Sequence, residues 1–318
     1  MTMGKVGGER NFGYGKQMAW AGKNALADRY GDGHYGTQAA HGDRWQQFCD
    51  YARDQEVRDV RQVTEELVTA YGESLQQQVE AGEMAVSYAQ NLISSVNVVL
   101  ETMRGDTALR VSPSELVGER NNVRQDAPAG MERERLQQAT AELREKGEDR
   151  VAVVAELARE LGLRFREASL LDARTALNQA TEKGAVNITE GTKGGRGHIV
   201  DRWVPVWPVA TEVLERAAEL QGHARNLIPE ENSYTQWRDH AYHAWSQASR
   251  DNDLKGFHDL RAAYACERYE QLTGHPAPVI SGERLVDKEI DLIARETISS
   301  ELGHGRVDVV SAYVGSGR

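Results

Sequence analysis

Cysteine is nearly absent from this chain. Cys49 and Cys266 are the only two in 318 residues, too few for a disulfide framework, so both read as reduced, half-buried thiols in helices. No apolar run approaches the length that spans a bilayer, and the polar opening MTMGKVGGERNFGYGKQ lacks the apolar stretch of a secretory signal. A cytoplasmic protein without a membrane partner is expected. A basic excess is missing too: the net charge of -11 argues against an indiscriminate polyanion binder, while leaving room for a local basic groove.

Nucleotide and metal motifs are also wanting. GTKGGRG has glycines and a lysine without the Walker spacing, and GGERNFGYG follows no strand that would make it a dinucleotide fingerprint. No Cys-x-x-Cys pair occurs, and His240 and His243 in DHAYHAW have no convincing third ligand. Neither a metal site nor a cofactor is expected.

The length allows two domains with proper cores. Helical spacing runs through residues 17–30 and 37–55, where Trp45, Phe48 and Ala52 share a face, and then through Val60, Val63, Leu67, Tyr71 and Leu75, with Thr64 of TEEL a candidate N-cap. Val86, Ala89, Ile93, Val96, Leu100 and Met103 extend the series. The reading is a flexible arm over 1–16, a helical bundle over 17–104 and a linker over 105–130 whose arginines are candidate phosphate contacts. On the fourth helix Asn91, Ser94 and Asn97 would suit a major groove if they faced one, though a solvated face is the plainer reading. From 131 onward helices flank two β-rich stretches, AVNIT and HIVDRWVPV, separated by EGTKGGRG, a hairpin pattern. The fold class is mainly α: a helical bundle plus a mostly helical α+β domain, residues 131–318, with one small antiparallel sheet.

Four segments carry the chemistry: ELGLRFREASLLDA, GTKGGRG, GFHDLRAAYA and ELGHGRVDVVSAYVG. Singly, each has a bland reading. Arg164 could be a snorkelling helix-end residue, Lys193 a solvated turn tip, His258 and Arg261 a helix-start pair, His304 a loop residue and Tyr313 a packing tyrosine. In this order and company they resemble the tyrosine recombinases, the phage and integron integrase family, over roughly residues 125–318. An arginine at a helix start is trailed by a glutamate in GLRFRE, a lysine sits on the hairpin in TKGGR, His-x-x-Arg opens a helix in HDLR, and Leu-Gly-His precedes a tyrosine by nine residues in LGHGRVDVVSAY.

The resemblance implies a catalytic set of Arg164, Lys193, His258, Arg261, His304 and Tyr313, with Glu167 in support. Displacement at phosphorus needs fixed donors for its growing charge. Arg164 and Arg261 would fork onto the non-bridging oxygens, with His304 as a further donor. His258 is the expected base for the phenol and Lys193 the expected proton donor to the leaving 5′ oxygen. The implied activity is site-specific DNA recombination through a 3′-phosphotyrosyl intermediate, integrating or excising a mobile element in the nucleoid. Its implied partners are a double-stranded recombination site, a homotetramer across two such sites and an accessory directionality factor. In the family a core-binding domain faces the catalytic one across the duplex, the place that 17–104 would take. Two departures stand out: a longer segment between Arg261 and His304, and only VGSGR after Tyr313; either the chain is truncated there, or protomers meet through other surfaces, for example the insertion. Candidate groove cations are Arg104, Arg110, Arg120, Arg124, Arg196 and Arg202 beside Lys193. Relaxation of the type IB topoisomerase kind, or a DNA-binding regulator with an integrase fold, are the alternative readings.

Overall fold

The computed structural model describes residues 9–317. Its contacts divide the chain into one unit ending at Asn121 and a second beginning at Asn122.

In the first unit the apolar periodicity becomes α1 (Met18–Tyr30), α2 (Tyr35–Asp54), α3 (Glu65–Glu80), α4 (Val86–Arg104) and a short α5 (Pro113–Val117). Thr64 caps α3, its Oγ1 accepting from the Leu67 amide at 3.3 Å. Trp45 and Phe48 are buried as their spacing required, and the Trp45 indole donates to the Met18 carbonyl at 2.9 Å. A Cβ on Gly22 would lie 2.1 Å from that indole nitrogen, so only glycine lets α1 approach α2 here.

The structure bears on three expectations for this unit. Residues 1–8 of the expected arm lie outside the described residues. The part that follows is pinned: Asn11 is buried, donates its amide N–H to Asp59 at 3.0 Å and accepts from the Val60 amide at 2.8 Å. The 105–130 segment, expected as an interdomain linker, does contain the boundary between the two units, but both of its ends are packed. Val111 and Val117 enter the first core, and at its far end Gly130 donates to Asp259 at 3.0 Å and accepts from Arg159 at 2.8 Å in the second unit. Asn97 is committed inside, exchanging bonds of 2.8 and 3.2 Å with the Val111 backbone, so it cannot read a base edge.

The second unit runs α6 (Arg133–Glu145), α7 (Asp149–Glu160), α8 (Phe165–Leu170), α9 (Ala173–Lys183), β1 (Ala185–Asn187), β2 (Trp203–Pro205), α10 (Pro208–Gln221), α11 (Tyr234–Asp251), α12 (Phe257–Thr273), α13 (Pro278–Ser281), α14 (Lys288–Glu301) and α15 (Ser311–Val314). Two helices form its centre. In α7 every residue from Val151 to Val154 is buried, and α12 buries both Leu260 and the small residues Ala262, Ala263 and Ala265, so neighbours pack against them from several sides. The sheet is antiparallel, pairing Val186 with Val204. It is shorter than the β-rich stretches suggested, because the side-chain oxygen of Asn187 takes the Arg202 amide at 2.9 Å and the glycine-rich stretch coils into a 3-10 turn over Lys193–His198. The architecture is mainly helical with one small antiparallel sheet. No helix among the described residues is long and apolar enough to cross a membrane.

Candidate active site

The site begins at a tight corner. Gly162 has φ +60°, and a Cβ there would sit 2.5 Å from the Tyr264 ring, so glycine both permits the turn and admits the ring. The chain then enters α8 with Arg164 at the N-cap, its amide donating to Glu167 at 2.8 Å in a capping-box geometry. Glu167 is therefore held before any of its other partners is counted.

That carboxylate is fully buried and gathers three arginines. Arg164 Nη1 lies 2.6 Å from Oε1, Arg202 Nη1 2.8 Å from the same oxygen, and Arg261 Nη1 3.5 Å from Oε2. Burial alone would raise the Glu167 pKa, but the charges of Arg202, Arg261 and Arg164 and the Arg164 amide hold it below the usual value. Three cations on one anion leave a positive surplus in a dry site. Desolvation lowers the Arg261 pKa to about 10, with Arg164 and Arg202 adding to the fall. Arg261 is fixed by the carbonyls of Gly162 and Leu302, so its guanidinium cannot drift.

Arg261 also reaches the candidate nucleophile. Tyr313, on α15, is only 3% exposed, and its hydroxyl accepts from Arg261 Nε at 3.4 Å and lies 3.0 Å from His304 Nε2. Arg261 Nη2 approaches that same Nε2 at 3.4 Å. Arginine only donates, so Nε2 is the unprotonated nitrogen and the phenol donates to it. Desolvation, then Arg261, Arg164 and Arg202, lower the His304 pKa to about 3. His258 faces Tyr313 through its ring, 5.3 Å between centroids. Part of it reaches solvent, yet the packed protein around it, followed by Arg261, Arg124 and Arg164, lowers its pKa as well. The imidazole nitrogen nearest the phenol is thus that of His304, while His258, expected as the base, meets Tyr313 ring to ring.

Lys193 comes from the hairpin and shares a cleft with Arg164, Arg196, Arg202 and His304. All six expected catalytic side chains and Glu167 therefore gather in one region of the second unit. The expected groove cations fare differently. Arg104 pairs with Asp106 at 3.0 Å, Arg110 pairs with Glu101, and Arg120 is exposed. Arg124 is bound to Asp259, which makes it part of the site's framework. Arg196 stays on the cleft rim, whereas Arg202 is 4% exposed and donates to the Glu301 carbonyl at 2.7 Å. Arg202 therefore sits in the floor of the cleft rather than on an exposed groove, paired with Glu167 and tied by Nε to the end of α14. Strand parity carried this signal: Arg202 lies two residues from the buried Val204 and so points to the same face. Elsewhere, His240 pairs with Glu148 at 2.8 Å, and no group of three or more metal-ligating side chains occurs among the described residues.

Comparison with known proteins gives the same picture. The integrase family model matches residues 118–267. A lambda integrase dimer bound to a COC′ core site is similar over 93% of this chain and 93% of that one, at 15% identity and TM-score 0.58. The integrase of the Tn1549 transposon, in complex with circular intermediate DNA, is similar over 96% and 97%, at 10% identity and TM-score 0.58. A lambda integrase tetramer bound to a Holliday junction is similar over 93% and 76%, at 14% identity and TM-score 0.56. No curated protein matches the chain by sequence. Residues 118–267 thus match the integrase family, and the chain shares the fold of the lambda and Tn1549 integrases.

Proposed function

We propose that this protein is a site-specific DNA recombinase that cuts and rejoins strands through a covalent tyrosyl link, integrating or excising a mobile element in the nucleoid. The observation that carries the reading is the convergence of Arg261 Nε and His304 Nε2 on the Tyr313 hydroxyl, with Arg164 held to the same buried carboxylate as Arg261.

In this reading a backbone phosphodiester enters beside Arg164, Arg261 and Lys193. The Tyr313 oxygen attacks phosphorus, the bond to the 5′ oxygen breaks, and a 3′-phosphotyrosyl ester forms. The phenolic proton goes to an imidazole, with His304 the nearest acceptor and His258 behind the ring. Lys193 supplies a proton to the departing 5′ oxygen. Burial does most to depress both histidines and persists, but the arginine field that adds to it is offset when the anionic phosphate arrives, so the substrate raises the basicity of the groups that receive the proton. Because the ester conserves the energy of the broken bond, a 5′ hydroxyl from another strand reverses the step without ATP.

The helical bundle over 17–104 takes the role of the core-binding domain and residues 131–318 that of the catalytic domain. A homotetramer on two double-stranded sites, with an accessory factor setting direction, completes the proposal. The test is covalent capture. Labelled restriction fragments from either side of the gene, lightly nicked so that cleavage releases a short strand, should give a denaturation-resistant adduct with wild type and none with Tyr313→Phe. An adduct that survives Tyr313→Phe would move the nucleophile elsewhere and overturn the reading.

A further inference from the structure

The nucleophile sits on a helix of only four residues, too short to hold its own shape, so its position is set entirely by what grips it. The strongest grip comes from the segment between the two catalytic motifs. Arg295 on α14 is 5% exposed. Its Nε donates to both carboxylate oxygens of Asp291, each at 2.9 Å. Its Nη1 donates to Ser311 Oγ at 3.3 Å and to the Gly315 carbonyl at 3.1 Å. One guanidinium therefore holds the first residue of α15 and the residue that closes it, with Tyr313 midway between them.

The anchor of this clamp is itself fixed. Asp291 accepts the Tyr269 hydroxyl at 2.8 Å, and Tyr269 lies on α12, the helix that carries Arg261. Gly315 has φ +85°, and a Cβ there would lie 2.7 Å from the Val279 amide nitrogen, so the closing residue is pressed against α13 while its carbonyl faces Arg295. The Arg124 amide holds the Ser311 carbonyl at 2.9 Å. Among these holds, the guanidinium is the one that reaches both ends.

We infer that Arg295 is a positioning residue for the nucleophile: paired with Asp291, it braces α15 from both ends and sets where the Tyr313 oxygen stands relative to Arg261 and His304. The inference rests on the proposed nucleophilic role of Tyr313. A lysine could keep the charge and the Asp291 pair, but a single ammonium lacks the planar fork that binds a carboxylate on one side and two separated acceptors on the other. A displacement of about 1 Å at a reacting atom costs on the order of a hundredfold in rate, so a clamp of this kind acts on turnover and leaves DNA affinity alone.

The test compares wild type, Arg295→Lys and Ser311→Ala. Arg295→Lys should melt within a few degrees of wild type and bind the nicked fragments with unchanged Kd. Its single-turnover adduct formation should fall at least about tenfold, within the range a small misplacement produces. Tetranitromethane, followed by peptide mass spectrometry, should nitrate Tyr313 faster in this variant, with the buried Tyr264 as internal standard. Ser311→Ala, which removes one contact of the guanidinium while Asp291 and the Gly315 carbonyl still hold it, should slow adduct formation about threefold. Wild-type adduct rate and wild-type Tyr313 nitration in a folded Arg295→Lys protein would overturn the inference. If Arg295→Lys does not fold, Ser311→Ala decides, and an unchanged rate there overturns it. If wild type itself gives no adduct, the proposed function fails instead, and nitration, which needs no DNA, still judges the clamp.

Discussion

His304 Nε2 lies 3.0 Å from the phenolic oxygen of Tyr313, and the approach of Arg261 Nη2 to the same nitrogen leaves it no proton to donate. The first prediction follows from this contact. His304→Gln should slow adduct formation by about a hundredfold or more, the usual worth of a general base, and His258→Gln should cost less. Single-turnover cleavage of the nicked fragments measures both. A larger loss for His258→Gln would return the base to His258 and make His304 a phosphate contact.

Glu167 is the common counter-ion of Arg164, Arg202 and Arg261. Glu167→Gln strands three crowded cations, so chemical denaturation should show a loss of about 3–5 kcal/mol, the cost of breaking a buried pair. Cleavage should be lost as well, because both phosphate forks lose their common tether. A variant of wild-type stability would mean that the arginines are held chiefly by the carbonyls of Gly162, Leu302 and Glu301.

Acid should weaken the fold through the histidines. The folded His304 pKa, about 3, lies below its unfolded value, and that of His258 is also lowered. The unfolded chain therefore takes up protons that the native one refuses. Stability is full above the ordinary histidine value and is lost as pH falls from there toward 3. Thermal melts between pH 7.5 and about 5 should show this decline, and His304→Gln should flatten it. A melting temperature independent of pH over that window in wild type would contradict a neutral His304 imidazole in the folded state.

The arginines separate into two behaviours. Arg196→Ala and Arg120→Ala, both at exposed positions, should weaken DNA binding uniformly and each reduce the salt slope by about one. Arg202→Ala should instead lower stability, since it breaks a buried pair with Glu167 and a bond to the Glu301 carbonyl. Filter binding across a salt series and denaturant melts distinguish the two, and a salt-slope change for Arg202→Ala without a stability loss would contradict its buried placement.

The sequence made the local chemistry of this chain readable and left its geometry hidden. Helical spacing announced α2 and α4, and Thr64 announced the start of α3, because caps and apolar periods are local properties. The motif order in GLRFRE, TKGGR, HDLR and LGHGRVDVVSAY pointed to residues that the fold gathers in one place. Arginine roles were the weak point, since a guanidinium reads alike whether it faces water or a buried carboxylate. Arg124 and Arg202 were therefore placed in a groove, whereas Asp259 and Glu167 hold them inside. The Arg295 clamp had no signal at all: its partners Ser311 and Gly315 lie on another element, and one of them offers only a backbone oxygen. The prolines and arginines of 105–130 looked like a tether because nothing in the run reveals that Asn97 waits for the Val111 backbone.

Tyr313 keeps its reactive oxygen turned inward, bonded at both faces and almost wholly shielded from solvent. For a nucleophile, as proposed for Tyr313, this shielding means that a DNA strand must displace those internal bonds before it can be attacked, so burial itself would restrain reaction away from a bound site.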